Sequence, residues 1–496
     1  MTSVKKSSVK SAIKSVAPRA ATQKSALILA WDDDPAASPK SPPTERKSSK
    51  LASLKMPVAI SGKTPPPKRY SVQTTEFRYW TAADSLARGV ELWSPLVPPK
   101  TKWQTGASLP VHLDEGIDLN AFYTRGDSND PPGLSFFRET VSGVEVFSGE
   151  SPDVATHELG HAVLDAIRPE LWDVASVEAA AFHESFGDMS AVLTALQLLS
   201  MREIVLKETG GKVFRSSRVS RLAEQLGWAV RQSNPGSAEP DCLRNAVNSF
   251  FYRDPATLPP GAPANLLSSE PHSFSRVFTA AFVEMLAGIF MTNGKNGNEA
   301  QLQQASLDAA RILIDAILEA PIVPTYFSQV AAHCVEADAN RFNRKYRDVI
   351  KGAFVRRGIL SVETAAKPLA ASKHRSIRAE DAVAEPSDRR AGEVRPIERS
   401  HYGIDEPLFV TMPGGSRRFE VAPSKSDVGS IGPVTREQAS ESFLEDLFRR
   451  GRINMAEAKG EPDAMLPQPF VRKTHFMTRD DGNLTLRRRM FDCGLD

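Results

Sequence analysis

Two histidines stand four residues apart, with a glutamate directly after the first, in SPDVATHELGHAVLDAIRPE, residues 151–170. On a helix, positions four apart share a face, so His157 and His161 can offer two imidazole nitrogens to one zinc ion. Glu158 lies one step round the helix. There it reaches a water beside the ion without being a ligand, and it is the base that such a water, acidified by zinc, requires. The competing reading is a helix whose two partly buried histidines pair with nearby carboxylates.

The local sequence provides the helix. Ser151 is a good N-cap, Pro152 suits the first helical position, and Asp153 places negative charge in the first turn. The apolar pattern runs to Ile167, and Arg168-Pro169 ends it, because proline disfavours a helical residue before it.

A third protein ligand separates the two readings, since catalytic zinc usually has three plus water. The pattern HExxHxxGxxH is absent, because Leu164 and Ile167 occupy its Gly and His positions. A glutamate on a following helix is present instead. VEAAAFHESFGDMSAVLTAL places Glu184 and Asp188 on one face of an otherwise apolar helix. Buried carboxylates are costly unless paired or bound to metal. Glu184 as ligand, with Asp188 orienting a ligating histidine, satisfies both. His183 points about 100° away, and Glu178, on a different face, is a weaker ligand candidate.

These residues together resemble the thermolysin family of zinc metalloendopeptidases, within the gluzincins. The family's zinc helix, D-x-x-x-HExxH-A-V, is matched by DVATHELGHAV from Asp153, and its third-ligand motif, NExxSD, by HESFGD from His183 to Asp188. The family's H-x-x-S-x-[IV] helix start is matched by His272, Ser275 and Val277. Arg244, followed by Asp254-Pro255-Ala256, is similar to the family's arginine before an Asp-Pro-Ala loop. Two segments, TYFSQVAAHCVEAD and VIKGAFVRRGIL, are similar to its closing helices.

The resemblance covers about residues 130–360. It implies an α+β fold with a β-rich lobe followed by a mainly helical lobe. It also implies one catalytic zinc on His157, His161 and Glu184, Glu158 as general base, and His272, with Arg244, as donors to the oxyanion. An extended peptide would pair with residues 134–137 as edge strand, and Phe136 and Phe137 are candidates for a subsite. Three departures stand out. The interval between His161 and Glu184 holds 22 residues, a few more than usual. Trp172 falls near the position of a family tyrosine. No acidic cluster follows Glu184; Asp153 suits a family calcium position and equally a helix N-terminus, so calcium is not expected.

The elements that must position these residues are a β-rich region to about residue 150, with Gly133–Glu150 read as a hairpin, and helical periods at 152–167, 177–200, 272–291, 299–319, 325–339 and 341–356. Around this domain, residues 71–362, lie a Ser/Lys/Pro-rich tail over 1–70 expected to be disordered, a charged linker over 363–400, and a C-terminal extension over 401–496. In the extension, SFLEDLFRRGRI reads as a short helix and THFMTRDDGNLTLRRRMF as a hairpin around Asp481-Gly482.

Bulk properties exclude several classes. The 496 residues carry 62 basic and 60 acidic side chains, a net charge of +2, which gives no pull toward nucleic acid. No run of about 20 apolar residues suggests a membrane span. No standard signal peptide precedes Asp32, which points to a cytoplasmic protein or one exported by a non-standard route. Cys242, Cys334 and Cys493 are odd in number and far apart, suggesting neither a disulfide framework nor a cysteine-based zinc site. The expectation is a zinc metallopeptidase acting on peptide or protein. The alternative is a catalytically inactive scaffold or binding protein retaining the fold. A zinc aminopeptidase is disfavoured, since no motif for holding a free amine precedes HELGH.

Overall fold

The computed structural model describes residues 26–127, 130–294, 297–361, 392–397, 404, 406–415, 434–456 and 472–493. Residues 1–25 of the expected tail and 363–391 of the expected linker lie outside them. The fold is mixed α+β. Ten α-helices occur among the described residues, with two five-stranded sheets and three two-stranded pairs.

The first sheet has the order β16-β5-β6-β4-β3. Its strands are β3 (Val58–Ile60), β4 (Leu109–His112), β5 (Ala121–Thr124), β6 (Gly133–Phe136) and, from the far end of the sequence, β16 (Met490–Asp492). The expectation that residues 134–137 form an edge strand is therefore wrong. β6 lies between β4 and β5, and the edges of the sheet are β16, which pairs with the other side of β5, and β3. Beyond β6, a hairpin of β7 (Arg138–Val141) and β8 (Val144–Phe147) turns at Ser142-Gly143, both at positive φ.

Residues 75–93, within the region expected to be β-rich, form a helix, α1 (Thr75–Trp93). Thr74 caps it by accepting from Phe77 N, and Phe77, Trp80, Ala83, Ala87 and Val90 recur at helical spacing on its buried side. The aromatic residues mimic a strand signal, but tertiary burial of that stripe decides.

The helical layer follows the expected periods closely. It contains α2 (Pro152–Ile167), α3 (Val177–Ala195), α4 (Leu199–Thr209), α5 (Glu224–Ser233), α6 (Pro271–Thr292), α7 (Glu299–Glu319), α8 (Tyr326–Phe342) and α9 (Arg347–Arg356). All of α3 is buried between α2 and α6. Its Phe182, Phe186, Met189 and Leu193 are fully buried, each contributing roughly 1.5–3 kcal/mol. α6 is the one helix among the described residues long and apolar enough to cross a membrane, and it is mostly buried as a core helix.

Residues 26–70, expected to be disordered, are built into this body. β1 (Leu27–Ala30) pairs with β2 (Thr44–Lys47), and the Asp32–Asp34 turn is buried. Asp34 accepts from Ser151 Oγ at 2.7 Å and from Gln225 N at 2.9 Å, so the segment grips the cap of α2. Its low apolar content is offset by these polar contacts, which composition does not reveal.

The later residues form the second sheet, order β11-β12-β15-β14-β13, from β11 (Glu393–Ile397), β12 (Leu408–Met412), β13 (Ile453–Asn454), β14 (His475–Asp480) and β15 (Asn483–Arg488). The β14–β15 hairpin turns at Asp481-Gly482 as expected, and α10 (Arg436–Arg449) is the expected short helix. Short β9 (Arg221–Leu222) and β10 (Arg244–Asn245) pair with each other.

Glu178 is no ligand. Its carboxyl accepts from Tyr252 Oη at 2.6 Å and from Phe327 N at 2.7 Å, tying α3 to α8. Burial pushes its pKa from 4.5 up to about 8. The folded state thus holds a proton that the unfolded chain releases, so this group's stabilisation is complete below about pH 4.5 and is lost as pH rises to about 8. In denaturant titrations, Glu178→Gln should remove that fall; an unchanged pH dependence would contradict the assignment.

Candidate metal centre

Ser151 Oγ caps α2 by accepting from Val154 N, and Pro152 opens the helix, as the sequence requires. The far end is held by Asp165, which accepts from Tyr123 Oη at 2.7 Å and from Arg125 at 2.6 and 3.0 Å. α3 then approaches α2 through two glycines. A Cβ on Gly160 would lie 2.9 Å from Gly187 Cα, and one on Gly187 would lie 2.6–2.7 Å from the ring of His157. Only at this separation can Glu184 and Asp188 of α3 meet the histidines of α2.

They do meet. The two Nε2 atoms of His157 and His161 face each other at 3.1 Å; Glu184 Oε2 lies 3.4 Å from the first, and Glu184 Oε1 3.7 Å from the second. A tetrahedral ion about 2.0–2.1 Å from each donor would set them about 3.3–3.4 Å apart. His157, Glu158 and His161 form a buried group able to hold a metal ion. Glu184 Oε2, Glu158 Oε2 and His161 Nδ1 are buried without a hydrogen-bond partner. Of these, Glu184 Oε2 stands beside the two converging imidazole nitrogens, and a cation between them would give it a partner. The donor set therefore suits a metal.

The supporting residues also fall where the sequence puts them. Asp188 Oδ1 lies 3.1 Å from His157 Nδ1 and holds that ring through its other nitrogen. Arg244 Nη2 donates to the same Oδ1 at 3.2 Å, while its Nε and Nη1 have no hydrogen-bond partner. Against burial, Arg244 and His157 hold the Asp188 pKa down to about 2. His272 Nε2 lies 3.2 Å from Glu184 Oε2, and its Nδ1 lies 2.7 Å from Glu270 Oε1. Against burial, those two carboxylates raise His272 to about 9. Burial lifts Glu158 to about 7, opposed by His157.

Other expectations change. Phe136 is wholly buried in β6, and Phe137 packs with Phe122 and Met490, so neither lines an open subsite. The Trp172 indole does not face the centre; its Nε1 donates to Arg488 O at 3.3 Å. Both ring nitrogens of His183 are buried without a partner, and its ring stacks on Phe491 with centroids 3.9 Å apart.

The residue the sequence reading missed is Cys493. Its Sγ donates to Glu158 Oε1 at 2.8 Å. The described residues show no disulfide; all three cysteines are free. No sequence signal points to Cys493, since it stands alone and 335 positions from Glu158. No residue of the centre is more than 5 % exposed, Cys493 included.

No protein-family model matches the chain, and no curated protein matches its sequence.

The α2–α3 contact makes a direct prediction. Gly187→Ala gains helix propensity but drives a methyl into His157. Metal affinity, measured by competition with a chromogenic chelator, should fall at least about tenfold, the range for disturbed supporting residues. Unchanged affinity would mean His157 is not a ligand.

Proposed function

We propose that the chain is a zinc-dependent metallopeptidase of thermolysin-like architecture, hydrolysing peptide bonds with Glu158 as general base. The observation that carries this is the convergence of His157, His161 and Glu184 around one point, with the carboxylate of Glu158 beside it and buried acceptors unsatisfied. Zinc, when bound, polarises a peptide carbonyl and lowers the pKa of a water toward neutrality.

The chain's own residues supply the rest. Glu158 takes a proton from the attacking water onto its carboxylate and later gives it to the leaving amine; a pKa of about 7 suits a group that must do both. His272, kept charged by Glu184 and Glu270, donates from Nε2 to the oxygen on which negative charge develops. Arg244 fixes Asp188, and Asp188 fixes His157. An extended peptide would pair with the edge of β5, the free side of the sheet once β16 is set aside.

Elemental analysis of the full chain should find one zinc, lost in Glu184→Ala and kept in Glu158→Gln. Hydrolysis of a quenched peptide library should fall at least about a hundredfold in Glu158→Gln, the usual contribution of a general base. In His272→Ala the loss should be about a hundred- to a thousandfold, as for a lost oxyanion donor. A chain that holds zinc but whose hydrolysis ignores Glu158→Gln is the inactive scaffold instead.

A further inference from the structure

The centre is closed by the chain itself, and the closing segment behaves as an extended substrate would. β16 adds to the edge of β5 in antiparallel register, Phe491 opposite Tyr123 and Asp492 opposite Phe122, and Cys493 N donates to Ala121 O at 2.8 Å. The Asp492 carbonyl accepts from His272 Nε2 at 2.5 Å, where an oxyanion donor would meet a substrate carbonyl. The Phe491 ring stacks on His183 and lies parallel to His161 at 5.0 Å. The Cys493 thiol takes the hydrogen-bond position on Glu158 that an attacking water needs. Between this strand, Glu184 and His272 only a cavity of about 30 Å³ is left.

The strand follows directly on β15 and is anchored along its approach. Trp172 Nε1 donates to Arg488 O, Thr124 Oγ1 to Arg489 O at 2.7 Å, and Arg452 pairs with Asp492 at 3.2 Å. A separate cavity of about 620 Å³ contains none of the centre's residues.

We propose that residues 490–493 are a built-in plug that holds the site latent, with the Cys493 thiolate as fourth ligand of the metal ion held by His157, His161 and Glu184. This rests on the zinc-peptidase reading above. A soft thiolate is a favoured zinc ligand, and four protein ligands make a closed site with no open position. On binding, the Sγ–H bond breaks and the proton moves to Glu158 Oε1, so the base is protonated as the last position fills. Activation is withdrawal of the strand, which reopens both the edge of β5 and the metal.

The test uses the full chain loaded with cobalt(II) in place of zinc. Wild type should show thiolate-to-cobalt charge-transfer absorption in the near ultraviolet. Cys493→Ser should lose it, while Cys242→Ser and Cys334→Ser keep it. With zinc, Cys493→Ser should hydrolyse peptides about tenfold or more faster, the factor by which a seated plug reduces the competent population. That gain should vanish in the Cys493→Ser/Glu158→Gln double variant. Should Cys493→Ser fail to fold, as read by circular dichroism, Phe491→Ala gives the second route: weaker absorption and faster hydrolysis. Stoichiometric cobalt without the absorption band, or hydrolysis unchanged in Cys493→Ser and Phe491→Ala, would overturn the plug while leaving the peptidase reading standing. A chain that binds no metal overturns that reading itself, and the metal content separates the two failures.

Discussion

The contact between Gly160 of α2 and Gly187 of α3 is the constraint on which the rest depends. Two helices can bring a carboxylate of one within reach of two imidazoles of the other only if their backbones nearly touch, and any side chain at Gly187 would meet the His157 ring. Glycine inside a helix costs roughly 0.5–1 kcal/mol against alanine, so its presence at the crossing is a sacrifice of local propensity to geometry. The surrounding fold keeps the crossing in place. α6 buries the opposite side of α3, Asp34 grips the start of α2, and Arg125 and Tyr123 grip its end through Asp165.

That geometry creates an electrostatic demand. Glu158, Glu184 and Asp188 are buried together, with Arg244 and His272 as the neighbouring positive groups. Arg244 serves Asp188, and His272 serves Glu184 and Glu270, but one oxygen of Glu158 and one of Glu184 still lack a hydrogen bond. Leaving buried carboxylate oxygens in this state is costly, and a divalent cation is the economical remedy. The residues that would do chemistry and the residues that need a cation are the same ones. The strand at 490–493 adds to the demand by excluding water from the group.

How much of this was legible in the sequence depends on how local the signal was. The α2 cap, the i,i+4 histidines and the Glu184–Asp188 pair are set within single helices, and each appears where spacing placed it. α1 was misread because Phe77, Tyr79 and Trp80 resemble strand residues when taken alone, although their buried neighbours recur every three or four positions. The sheet edge was misplaced because β6 is flanked by β4 on one side and β5 on the other, pairings that the strand's own sequence does not report. The contact of Cys493 with Glu158 spans 335 positions, and no composition or periodicity encodes it. The region up to residue 70 was misjudged for a related reason: its order comes from buried polar contacts such as Asp34 to Ser151, not from apolar content.

Zinc-edge X-ray absorption on the full chain reads the donor set of the centre itself. The expected result is a shell of nitrogen and oxygen donors, supplied by His157, His161 and Glu184, at about 2.0–2.1 Å from the zinc, with the Cys493 sulfur at about 2.3 Å. A zinc surrounded by oxygen alone, or a chain that retains no zinc, would contradict it.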